Sequence, residues 1–96
     1  MIQLDDLRRR KAAILQLAAK YGIQSVRVFG SVARGQTGVT SDVDLLVNFE
    51  LGRSLLDQVG FEQDMAALLG CQVDVVAEGG ISPYLEKQIL DDAVPL

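Results

Sequence analysis

The chain contains no histidine, which excludes imidazole acid–base chemistry and imidazole metal ligands. It has one cysteine, Cys71, so no internal disulfide can form, as fits a reducing compartment such as the cytoplasm. The neighbouring Leu68, Leu69 and Gly70 predict that this thiol packs as a small hydrophobe. No apolar run approaches membrane-spanning length, so no membrane partner is expected. The first residues lack the apolar core of a secretory leader, because Asp5, Asp6 and the run Arg8 to Lys11 interrupt it. There are no repeats and no low-complexity segments. Positive charge is also scarce: nine Lys and Arg against thirteen Asp and Glu give a formal charge of −4. That balance argues against a general nucleic-acid binder, which carries a basic face. The run Arg8 to Lys11 reads as a solvated helix face.

What is present is enough for one core. The 96 residues are 49% apolar, which predicts a single globular domain over 1–96. Leu4, Leu7, Ile14, Leu15, Ala18 and Tyr21 recur at helical spacing, predicting a helix over 4–21 that stops at Gly22. Residues 25–29 predict a short strand, and Ser31 to Arg34 a short helix after Gly30. Residues 35–41, rich in Gly, Thr and Ser, read as a loop. A second strand is expected over 42–49, with Val43, Leu45 and Val47 on one face and Asp42, Asp44 and Leu46 on the other. Ser54 caps a predicted helix that ends at Gly70. A third strand follows over 72–77, and a last helix from Ser82 to Asp92 with Pro83 at its first position. The order α-β-α-β-α-β-α predicts an α/β (α+β) fold, a small mixed sheet flanked by helices.

The chemistry-bearing residues fall at two places. Gly30-Ser31 closes the first strand, where glycine lets the backbone approach a ligand and Ser31 offers a hydroxyl and an N–H to phosphate. Arg34, one turn later, can reach a triphosphate or neutralise a carboxylate. Asp42, Asp44 and Asp74 all lie in predicted strands, each with its apolar neighbours pointing the other way. Buried carboxylates are costly without charge balance. If the two strands are neighbours, the three acids converge on one patch and need a cation. Oxygen-only ligands favour magnesium or manganese over zinc. Two such ions about 3.5–4 Å apart can activate an attacking oxygen and stabilise a leaving one.

Gly30-Ser31, Ala33-Arg34-Gly35 and Asp42-x-Asp44 together resemble the minimal nucleotidyltransferases of the DNA polymerase β superfamily. Within it, the chain is similar to the MNT-domain antitoxins of HEPN/MNT toxin–antitoxin modules. The likeness runs from the N-terminal helix through Val73-Asp74-Val75-Val76 to the tail Leu90 to Leu96. It implies a polymerase-β-like fold and transfer of AMP from ATP to a tyrosine hydroxyl of a cognate HEPN ribonuclease toxin, with which the chain would form a hetero-oligomer. It implies that Asp42 and Asp44 hold catalytic metals. Asp74 becomes the third ligand and the acceptor of the attacking hydroxyl's proton. Gly30 and Ser31 would grip the triphosphate, with Arg34 in support.

Two other functions stay open at this level. A non-catalytic antitoxin could neutralise its partner by masking it, though masking gives no reason for three converging acids. A nucleotidyltransferase could instead act on a small molecule or on RNA ends. Against that, so short a chain shows no acceptor-binding region, and its acidity disfavours RNA.

Overall fold

A computed structural model describes residues 2–36 and 42–96. The expected loop over 35–41 lies outside the described residues from position 37 onward. The elements, in chain order, are α1 (Leu4–Arg9), α2 (Lys11–Lys20), β1 (Ile23–Phe29), α3 (Gly30–Ala33) and β2 (Val43–Phe49). They continue with α4 (Leu55–Leu69), β3 (Val73–Ala77), α5 (Pro83–Asp92) and β4 (Val94–Pro95). The four strands form one sheet in the order β3-β2-β1-β4. β2 pairs parallel with β3 and antiparallel with β1, and β4 pairs antiparallel with β1. The expected mixed sheet flanked by helices is therefore the observed fold.

Three features depart from the sequence expectation. The helix predicted over 4–21 is two helices, broken at Arg10, where φ is −100° and ψ is 15°. The break lets the Arg10 guanidinium donate to the Leu68 carbonyl at 2.7 Å, near the C-terminal end of α4, where cations are favoured. Arg8 likewise donates to the Pro95 carbonyl at 3.1 Å. The basic run is exposed as expected, but two of its arginines also tie α1 to later parts of the chain. Second, β1 begins at Ile23, two residues earlier than predicted. Third, Val94 and Pro95 form a short strand where only an end to the helical pattern was expected. Two residues carry too little periodicity to announce a strand, and only β1 beside them makes them one.

The core lies between one sheet face and the helices α2 and α4. Val28, Leu45, Val47, Phe61, Met65 and Ile14 are all fully buried there. Each such side chain contributes about 1.5–3 kcal/mol over remaining exposed, so this layer holds the sheet in place. α4 begins at Ser54, whose N–H donates to the Asp57 carboxylate at 3.0 Å. It also covers the outer edge of β3. Glu62 accepts from the Val75 N–H at 3.1 Å, and Gln58 donates to the Val75 carbonyl at 2.8 Å. Those two bonds satisfy backbone groups that an edge strand leaves open.

The second sheet face carries Asp44, Leu46, Asp74 and Val76, as alternation requires. Leu46 is fully buried there. Its register partners are Arg27 on β1 and Val76 on β3. Arg27 forms an ion pair with Glu78, just beyond β3, so the pair spans β2 on the side of Leu46. α5 packs against β1 and α3 without fully burying any residue.

Candidate active site

Parallel pairing sets Asp44 of β2 directly abreast of Asp74 of β3. Neighbouring strands lie about 4.8 Å apart, so the two carboxylates share one small area of the second sheet face. Asp42 stands one residue ahead of β2 and two positions from Asp44. Asp44 is half-buried, and its carboxyl is held above the usual carboxylate range. Burial is the main cause, the charges of Asp74 and then Asp42 add to it, and Arg34 works against it. Asp74, abreast of it, and Asp42, two positions before it, thus both bear on Asp44.

Gly30 follows β1 directly, and Phe29 is the register partner of Asp44. Gly30 has φ of 74°, and a Cβ built on it would sit 3.1 Å from Cγ of Asp44 and closer still to Oδ2. Backbone and carboxylate are thus packed with no room for a methyl group, which is a stronger reason for glycine than the turn alone. Ser31 lies in the first turn of α3, next to Gly30 and half-exposed. Arg34 ends α3, its N–H donating to the Gly30 carbonyl at 3.1 Å. Its guanidinium donates from Nη1 to Oδ2 of Asp92 at 2.5 Å and from Nε to Gln36 at 3.3 Å.

Gly30, Asp44 and Asp74 are therefore brought together, with Ser31 and Asp42 alongside. Arg34 stands at the edge of the group and is shared with Asp92, a residue the sequence did not single out. The two are 58 positions apart, and no local pattern links them. Cys71 packs against the core as expected. Burial, then the charge of Asp42, pushes its thiol upward.

The donor set suits a hard divalent cation. The acids supply only oxygens, and their mutual repulsion is relieved by added positive charge. Among the described residues, no group of three or more acidic, thiol or imidazole side chains stands ready-made around a metal position. Two clefts, of about 260 and 400 Å³, lie beside α1, lined by residues such as Leu4, Val32 and Ala33 in one and Arg9, Arg10 and Leu69 in the other. Neither is lined by Asp42, Asp44 or Asp74. No helix among the described residues is long and apolar enough to cross a membrane.

Comparison with known proteins gives the class to which the chain belongs. The sequence profile of the nucleotidyltransferase domain matches residues 10–96, and the chain belongs to that family. The protein adenylyltransferase MntA of Thermococcus cleftensis is 38% identical over 79 residues, 82% of this chain and 80% of that one. A solved structure of a candidate minimal nucleotidyltransferase superposes with a TM-score of 0.86 at 49% identity, covering 99% of this chain and 97% of the other. The same fold, at 20% identity and a TM-score of 0.70, occurs in a complex of a tri-AMPylated Shewanella oneidensis HEPN toxin with an MNT antitoxin. That match covers 92% of this chain and 69% of the other.

Proposed function

We propose that this chain is a protein adenylyltransferase antitoxin. It transfers AMP from ATP to a tyrosine hydroxyl of a HEPN-type ribonuclease partner, with which it associates in the cytoplasm, and so silences it. The observation that carries the reading is the register of Asp44 with Asp74, with Gly30 packed on the Asp44 carboxylate. The adenylyltransferase relative supports AMP as the transferred group. The solved toxin–antitoxin complex of the same fold is consistent with a toxin as acceptor.

The reaction balances with residues on this face. The acceptor oxygen attacks the α-phosphorus of ATP, and the bond from that phosphorus to the bridging oxygen breaks. Pyrophosphate leaves with the bond's electron pair. The hydroxyl proton passes to the Asp74 carboxylate. Asp42 and Asp44, with Asp74, would hold magnesium or manganese, which supplies charge neutralisation at the phosphates and the attacking oxygen. Gly30 and Ser31 would border the triphosphate, and Arg34 would face its outer charge. The chain provides position and electrostatics rather than a covalent nucleophile. The partner's own surface would complete the acceptor side.

The test is the intact mass of a HEPN-type partner protein after incubation with the chain, ATP and magnesium. A gain of one or more AMP units, absent with Asp42→Asn/Asp44→Asn, is the expected result. Tight complex formation and loss of toxicity with no mass gain would make the chain a masking protein instead.

A further inference from the structure

We infer that Asp92 is a positioning residue for nucleotide binding: from the last turn of α5 its carboxylate holds the Arg34 guanidinium at the rim of the Gly30 and Asp44 site. The inference rests on the adenylyl-transfer reading above and extends it to a residue remote in sequence.

Arg34 has a long side chain and stands at the end of a four-residue helix. α3 alone cannot fix where such a side chain points, and a free arginine loses much rotamer entropy when it meets an anion. Asp92 removes that freedom in advance. Its Oδ2 accepts from Nη1 of Arg34 at 2.5 Å, and Gln36 takes Nε at 3.3 Å. Among the described residues these contacts engage Nη1 and Nε, and the five N–H donors of a guanidinium allow one fork to serve a carboxylate and a phosphate together. The Arg34 backbone N–H donates to the Gly30 carbonyl at 3.1 Å, so the guanidinium that Asp92 grips grows from the same turn that packs on Asp44.

Asp92 is itself well placed to hold something still. Two residues later Val94 pairs with Val28, and Pro95 with Arg27, both on β1. β1 is also the strand that runs into Gly30. The chain therefore closes a small ring: from β1 through Gly30 to Arg34, across to Asp92, and back to β1 through Val94. A displacement of Asp92 relative to the glycine turn requires breaking that pairing. The Asp92 side chain is 24% exposed and that of Arg34 41%. An ion pair so exposed contributes little to folding stability, so its effect is expected at the ligand rather than in the fold.

The experiment measures dissociation constants for ATP with magnesium, by calorimetry on the full chain, alongside melting temperatures. Asp92→Ala should weaken ATP binding by about threefold to tenfold, the scale of one charge-assisted contact, with little change in melting temperature. Asp92→Glu, which keeps the carboxylate, should restore most of the affinity. Arg34→Ala should weaken binding at least as much, and Arg34→Ala/Asp92→Ala no further than Arg34→Ala alone. Unchanged ATP affinity in Asp92→Ala, or additive losses in the double variant, would overturn the inference while leaving the adenylyl-transfer reading intact. A wild-type chain that binds no ATP and transfers no AMP to its partner would overturn both.

Discussion

Replacing Gly30 by alanine tests the contact around which the acids are arranged. Gly30 holds φ of 74°, a region that costs a residue bearing a Cβ about 1 kcal/mol or more. The new Cβ would also press on Asp44, 3.1 Å from its Cγ and 3.3 Å from its Cβ. Asp44 is half-buried and abreast of Asp74, so it has few places to go. Forcing a side chain well off its rotamer costs about 0.5–1.5 kcal/mol. Together the expected loss is about 2 kcal/mol, or a melting temperature lower by about 10 °C for a chain of this size. Gly35 provides the control. It has φ of 72°, and a Cβ there meets nothing within 4 Å among the described residues. Gly35→Ala should lose only the backbone part, about 1 kcal/mol. Activity should separate the two further, because misplacing a reacting group by about 1 Å costs about 100-fold in rate. Thermal unfolding and AMP transfer to the partner are measured on both variants in parallel. Equal melting temperatures and equal rates for the two would refute the close-packing argument.

Asp44→Asn should abolish transfer yet stabilise the metal-free fold. The folded-state carboxyl titrates above its ordinary 3.8, so the fold binds that proton more tightly than the unfolded chain does. The stability Asp44 contributes is therefore fully present below 3.8 and lost as pH rises through the higher folded value. Unfolding curves across pH should show the gain from Asn at neutral pH and its disappearance in acid; a less stable variant at neutral pH would contradict the assignment. A chelator should stop AMP transfer without unfolding the chain, and magnesium or manganese should restore it. Restoration by zinc alone would speak against an oxygen-ligand site. Phe61→Ala should cost about 3–5 kcal/mol through the cavity it leaves, seen as an early denaturant midpoint, whereas a shift under about 1 kcal/mol would show that α4 does not anchor the core as described.

The candidate site was half legible before any tertiary contact was known. The two-residue period expected over 42–49 puts Asp42 and Asp44 opposite Val43, Leu45 and Val47, because alternation is a local property of extended backbone, although β2 itself begins only at Val43. Ser54, Pro83 and Gly70 mark helix ends for equally local reasons, and those boundaries agree with α4 and α5. The break at Arg10 was not legible, since the apolar spacing continues across it and the Leu68 carbonyl that receives Arg10 lies 58 positions away.

Sequence by itself thus determined which residues face together along each strand and where most helices start and stop, and it marked one strand-turn and three acids as candidates for the chemistry. Tertiary structure alone decided the strand order β3-β2-β1-β4 and the register that sets Asp74 abreast of Asp44. A slip of one residue in that parallel pairing would have turned Asp74 toward the core. It also decided that Gly30 rests on the Asp44 carboxylate, that Val94 and Pro95 become a strand, and that Arg34 meets Asp92. These are contacts between segments distant in the chain, fixed by how the apolar face of the sheet packs on α2 and α4, and no local period encodes them.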